Sequence, residues 1–135
     1  MPGRQNQTYD IANHYDLVSN YNVAALGTTN SADQVNPTGR GLKLGVNITV
    51  IAGTAPTLTV VIQGKDESSG QYYTLLSSAA LAAVAFTLYT VYPGLVAAAN
   101  VVASDVLPNT WRVQFIAGGT AVTSIIATIG ASVLT

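Results

Sequence analysis

The 135-residue chain contains no cysteine. That excludes disulfides and thiolate metal sites. It has one histidine, His14, with Tyr15 and Asp16 beside it. A lone imidazole with no orienting partner at a useful spacing is a poor general base. Charged residues make up only 8 %, against roughly 25 % in an ordinary soluble domain. The five basic residues, Arg4, Arg40, Lys43, Lys65 and Arg112, are scattered along the chain. No basic cluster exists to follow a phosphate backbone, so nucleic acid is not an expected partner. The net charge of -1 leaves little repulsion between copies. Such a surface suits a subunit packed against others.

Long apolar runs are also missing. A spanning helix needs about 18 apolar residues or more. The nearest candidate, Ala79 to Val91, is shorter and contains Thr87, Tyr89 and Thr90, so no membrane partner is expected. The opening, Met1-Pro2-Gly3-Arg4-Gln5-Asn6, lacks the apolar core of a signal peptide. Synthesis in a cytoplasm is the expectation.

No HExxH, GxSxG, P-loop or EF-hand pattern occurs. Gly39-Arg40-Gly41 lacks the strand-to-helix context that cradles phosphate. Asp66 and Glu67 are adjacent, and adjacent side chains on an extended strand face opposite ways. They read as a solvated turn, not as an acid/base pair or a metal site. Tyr72, Tyr73, Tyr89 and Tyr92 offer aromatic surface for a sugar platform, although ordinary core and interface packing is the favoured reading. Asn47-Ile48-Thr49 fits the glycosylation acceptor pattern but has no secretion signal to go with it. The reading assigns no catalytic, cofactor-binding or metal-ligating residue, and no enzyme is expected.

What the chain does have is 49 % hydrophobic residues arranged with period two. Leu42, Leu44, Val46, Ile48 and Val50 alternate with Lys43, Gly45, Asn47 and Thr49. Leu58, Val60 and Ile62 alternate with Thr57, Thr59 and Gln63. This predicts two half-buried strands. The link Gly53-Thr54-Ala55-Pro56 predicts an antiparallel hairpin between them. Trp111, Val113, Phe115 and Ala117 predict a further strand, Gly118-Gly119-Thr120 a hairpin turn, and Ala121 to Leu134 a last strand. Both faces of that last strand are partly apolar, which predicts cover on both sides, and Gly130 reads as a bulge or bend.

The remaining segments are less patterned. Asp16 to Leu26 predicts a short first strand. Gly27 to Gly41 is a turn-rich stretch read as a functional or interfacial loop. Gln71 to Leu76 reads as a strand, and another runs from about Ala83 to Val91. Ser78 to Ala83 is a loop or one helical turn, and Leu95 to Ala103 an edge strand or a short helix. The whole reads as an all-β, sandwich or jelly-roll-like single domain at 16–135. Residues 1–15 read as an extended N-terminal arm.

Two segments carry a family resemblance. Val46 to Gln63, VNITVIAGTAPTLTVVIQ, is followed by a polar turn and Tyr72-Tyr73-Thr74-Leu75. Leu107 to Ile129 reads LPNTWRVQFIAGGTAVTSIIATI. Together they resemble short proteins encoded among the virion genes of tailed phages, most closely capsid decoration (cement) proteins. The resemblance implies a structural subunit, a homotrimer, bound to the major capsid protein on the outer surface of the head. It implies no cofactor and no catalysis. The arm and the 27–41 loop are then expected to touch capsid neighbours. Fewer charges and a longer polar arm than a plain decoration domain leave head-fibre, tail and neck roles open. The competing class is a carbohydrate- or receptor-binding jelly roll using the four tyrosines.

Overall fold

The computed structural model describes residues 14–36 and 38–135, and for residues 14–20 it describes the backbone path alone. The described chain is all β, with ten strands and no helix. They are β1 (His14–Val23), β2 (Gly27–Asn30), β3 (Gln34–Val35), β4 (Gly41–Thr54) and β5 (Thr57–Lys65). Then come β6 (Tyr72–Ser77), β7 (Ala85–Val91), β8 (Val102–Ala103), β9 (Thr110–Gly118) and β10 (Ala121–Leu134). Sheet I has the order β1-β10-β4-β7-β8 and sheet II the order β2-β9-β5-β6, with β3 also pairing β9.

β2 and β3 lie along one strand, β9, and act as a single broken strand. Counting them as one and setting aside the two-residue β8, the sheets run 1-8-3-6 and 2-7-4-5 in sequence rank. Every pairing is antiparallel except β7 with β8. The inward residues of both sheets form one core. Leu42, Leu44, Val46 and Ile48 of β4 meet there with Leu58, Val60 and Ile62 of β5, and with Trp111, Val113 and Phe115 of β9. Tyr21 tilts against Phe115 with ring centroids 5.2 Å apart. This is the two-layer solution that strands with one apolar face require.

The expected β4–β5 hairpin does not form. β4 pairs with β10 and β7, whereas β5 pairs with β9 and β6. The Ala55-Pro56 link therefore carries the chain from one sheet to the other. The Gly118-Gly119-Thr120 turn does the same between β9 and β10. Both strands of each predicted hairpin exist, but the two 14-residue strands pair with each other, β4 with β10 from Gly41↔Leu134 to Thr54↔Ala121, and β5 pairs with β9. The two crossings touch. Gly119 has φ +98°, and a Cβ there would sit 1.9 Å from the Ala55 carbonyl oxygen, so glycine is required by both conformation and space. The true hairpin joins β5 to β6 through the turn at Asp66–Gly70.

Other expectations change as well. The 27–41 stretch is not one loop, because β2 and β3 pair with β9 inside it. Buried Asn36 closes its end: its amide donates to the carbonyls of Gly39 at 2.8 Å and Leu107 at 3.1 Å, and its Oδ1 accepts from the Gly39 amide at 2.8 Å. Such local Asn bonding stabilises an irregular path whose backbone groups lack ladder partners. β1 begins at His14, so His14 and Tyr15 belong to a strand against β10; the rest of the predicted arm, residues 1–13, lies outside the described residues.

The 78–83 stretch is a loop, with a two-way backbone bridge between Leu81 and Leu58. The 95–103 stretch is turns ending in β8. Gly130 sits in regular register opposite Gly45. The bulges in β10 and β4 fall elsewhere, at Thr123 and Thr49. A bulge reverses which residues face in. Thus Ile48 is buried while Val50 is 38 % exposed, against the straight alternation read from sequence. The outer side of β10 is only partly covered, since Thr128 is exposed while Ile125, Ala127 and Ile129 are buried.

Candidate functional site

Two surfaces stand out, one on the outside of each sheet. On sheet I, the outward positions of β4 and β10 carry glycine at the same level, Gly45 paired with Gly130, and Leu88 of β7 pairs with Gly45 on the other side. Missing side chains at the centre of a sheet leave a trough. It is a hollow of about 370 Å³ lined chiefly by Lys43, Asn47, Phe86, Leu88 and Thr128 around the two glycines. Among the described residues, Lys43 is the one charged side chain lining it. The Phe86 ring borders it, 3.3 Å from where a Gly45 Cβ would lie. Phe86 is 63 % exposed and Leu88 46 %. Large apolar side chains grouped on a sheet face with little charge are the composition of a protein contact surface.

Sheet II presents different chemistry. Lys65 and Tyr72 are cross-strand neighbours on β5 and β6, and Gln63 and Arg112 on β5 and β9. Cross-strand pairs share a face, so all four point outward together. The Arg112 guanidinium carbon lies 3.4 Å from the centroid of the Tyr72 ring, and its Nε–H donates to Gln63 Oε1 at 2.8 Å. The Tyr72 hydroxyl donates to Asp33 Oδ1 at 2.8 Å, and Lys65 Nζ donates to Asp33 Oδ2 at 3.3 Å. The Tyr72 hydrogen bond, with help from Lys65 and Arg112, holds the Asp33 carboxyl below its usual pKa. Asp33 in turn raises the Lys65 ammonium.

Glu67 reaches across to the hydroxyl of Thr110 and the amide of Asn109. The Thr110 bond is the main reason its pKa lies below normal. Asp66 instead accepts from the hydroxyl and amide of Ser69, which lower its pKa. The adjacent acids, both in the turn after β5, therefore bond to different partners. No group of three His, Asp or Glu side chains able to hold a metal occurs among the described residues.

The four tyrosines of the sugar-platform reading do not converge. Tyr72 lies on the outer face of sheet II under Arg112, and Tyr89 is 4 % exposed in the core. Tyr73 packs by Gly64, and Tyr92 donates to the Thr135 carbonyl. His14 is placed by its backbone pairing with Ser132.

Sequence reasoning missed the Asp33–Lys65–Tyr72–Arg112 set. The β5–β6 hairpin register gives Lys65 and Tyr72 in principle, but Arg112 and Asp33 arrive only with β9 and the β2–β3 segment. Compared with known proteins, the chain matches no family model, no curated protein and no solved structure.

Proposed function

We propose that the protein is a structural virion protein of a tailed phage, a decoration subunit that binds the outer surface of the head and stabilises contacts between capsomers. It works as a homo-oligomer, expected to be a trimer, with the major capsid protein as partner. The observation that carries this reading is the outer face of sheet I. Among the described residues it is a nearly uncharged surface with Phe86 and Leu88 exposed beside a hollow, and its chemistry fits an apolar protein surface on the shell. Two further points support it. We read the rank order 1-8-3-6 and 2-7-4-5 as a jelly roll, an architecture that recurs in viral capsid domains. The scarcity of charge seen in the sequence fits subunits that pack closely.

The test is co-sedimentation of the purified chain with empty heads, beside light scattering of the free protein. Wild type should pellet with heads and weigh as a trimer. Phe86→Asp, a solvent-facing change that leaves the core untouched, should abolish pelleting while the circular dichroism spectrum stays unchanged. Undiminished pelleting by that variant, or no pelleting by wild type, refutes the reading.

A further inference from the structure

The outer face of sheet II holds an arginine prepared for a ligand it does not find within the described chain. An exposed arginine normally samples many rotamers, and ordering it costs free energy when it binds. Here that ordering is already done. Tyr72 supports the guanidinium plane from one side at 3.4 Å, and Gln63 pins the Nε edge at 2.8 Å. Tyr72 is itself fixed, because Asp33 accepts its hydroxyl proton. Asp33 is occupied in turn by Lys65. Asp33, which attracts Arg112 through space, hydrogen-bonds Tyr72 and Lys65 instead, and the two terminal Nη groups have no hydrogen-bond acceptor among the described residues. A planar pair of parallel N–H donors selects a carboxylate in bidentate geometry.

We infer that Arg112, stacked on Tyr72 and pinned by Gln63, anchors a carboxylate side chain of an acidic protein segment on the outer face of sheet II. A protein carboxylate fits better than an acidic sugar. Pyranose recognition uses an open aromatic face, and Arg112 already occupies one face of Tyr72. Lys65, 5.6 Å from the same ring centroid, is neutralised by its ion pair with Asp33, so the carboxylate is held by Arg112. The inference rests on the virion reading only for the partner being a protein; carboxylate capture stands on the Arg112 geometry alone.

The experiment follows the Arg112 Nε–H resonance of the full-length chain by NMR at low salt. The probes are a capped hexapeptide of alternating Glu and Thr, its Gln-for-Glu counterpart, and glucuronate. The acidic peptide should shift the resonance saturably and bind at least tenfold tighter than the Gln peptide or glucuronate. Arg112→Lys keeps the charge but removes the fork, and should weaken binding at least tenfold. Gln63→Ala frees the Nε edge and should weaken it about threefold, whereas Arg40→Gln, remote in sequence and exposed, should not change it. Equal binding of the acidic and Gln peptides, or Arg112→Lys binding like wild type, overturns the proposal. Glucuronate binding as tightly as the peptide overturns the protein-segment assignment. None of these outcomes depends on head binding, so the two readings fail separately.

Discussion

Val46 and Val50 lie four residues apart on β4, and simple alternation puts both in the core. The bulge at Thr49 separates them: Val46 is fully buried and Val50 is 38 % exposed. Val→Thr is nearly isosteric and keeps the branched Cβ that strands favour. Its cost is therefore dominated by where the new hydroxyl ends up. At position 46 the hydroxyl enters the buried core, on a residue paired with Ile129 of β10, and burying it without a partner costs about 1–3 kcal/mol. At position 50 water reaches it, and the change should stay within about 0.5 kcal/mol.

The assay is urea unfolding of both variants, comparing midpoints at unchanged m-value. With about 2.1 cal/mol/K of unfolding entropy per residue, the chain has about 0.28 kcal/mol/K in total, so a loss near 2 kcal/mol lowers Tm by about 7 °C. Equal losses at the two positions would refute the bulge and mean that the alternation runs straight through Thr49.

Trp111 has no exposed surface, so Trp111→Ala should cost about 3–5 kcal/mol by chemical denaturation; a loss near zero would contradict its place in the core. Asn36→Ala strands the buried carbonyl of Leu107 and the Gly39 amide. It should cost about 1–3 kcal/mol, and a loss under about 0.5 kcal/mol would show that these bonds do not close the segment. Asp33, Asp66 and Glu67 all have lowered pKa values in the fold. Their small contribution to stability is present above the ordinary carboxylate range near pH 4 and is lost as pH falls through the lowered values. Carbon-detected NMR titration should show Asp33 titrating lower in wild type than in Tyr72→Phe, which lacks the main hydrogen bond; identical midpoints would remove Tyr72 as the cause.

The strands themselves were legible in the sequence. Leu42 to Ile48, Leu58 to Ile62 and Trp111 to Ala117 carry period-two patterns, and all three are strands whose apolar set faces the core. That follows because burial of one face is a local property of alternating side chains. The sequence also excluded thiol chemistry outright, since a residue type that is absent needs no structure to rule it out.

Pairing was decided by the tertiary structure. A turn of two or three residues reads as a hairpin when only its neighbours are considered, yet both β4–β5 and β9–β10 cross between sheets, because long antiparallel partners elsewhere gain more ladder bonds and burial. The bulge at Thr49, the β2 and β3 pairings inside an apparent loop, and the meeting of Gly45 with Gly130 all depend on a partner strand distant in sequence. The same holds for both surfaces. Phe86 beside the glycine trough, and Arg112 on Tyr72 with Asp33 behind it, join residues from strands that only the sheet order brings together, and one-dimensional spacing carries no record of that order.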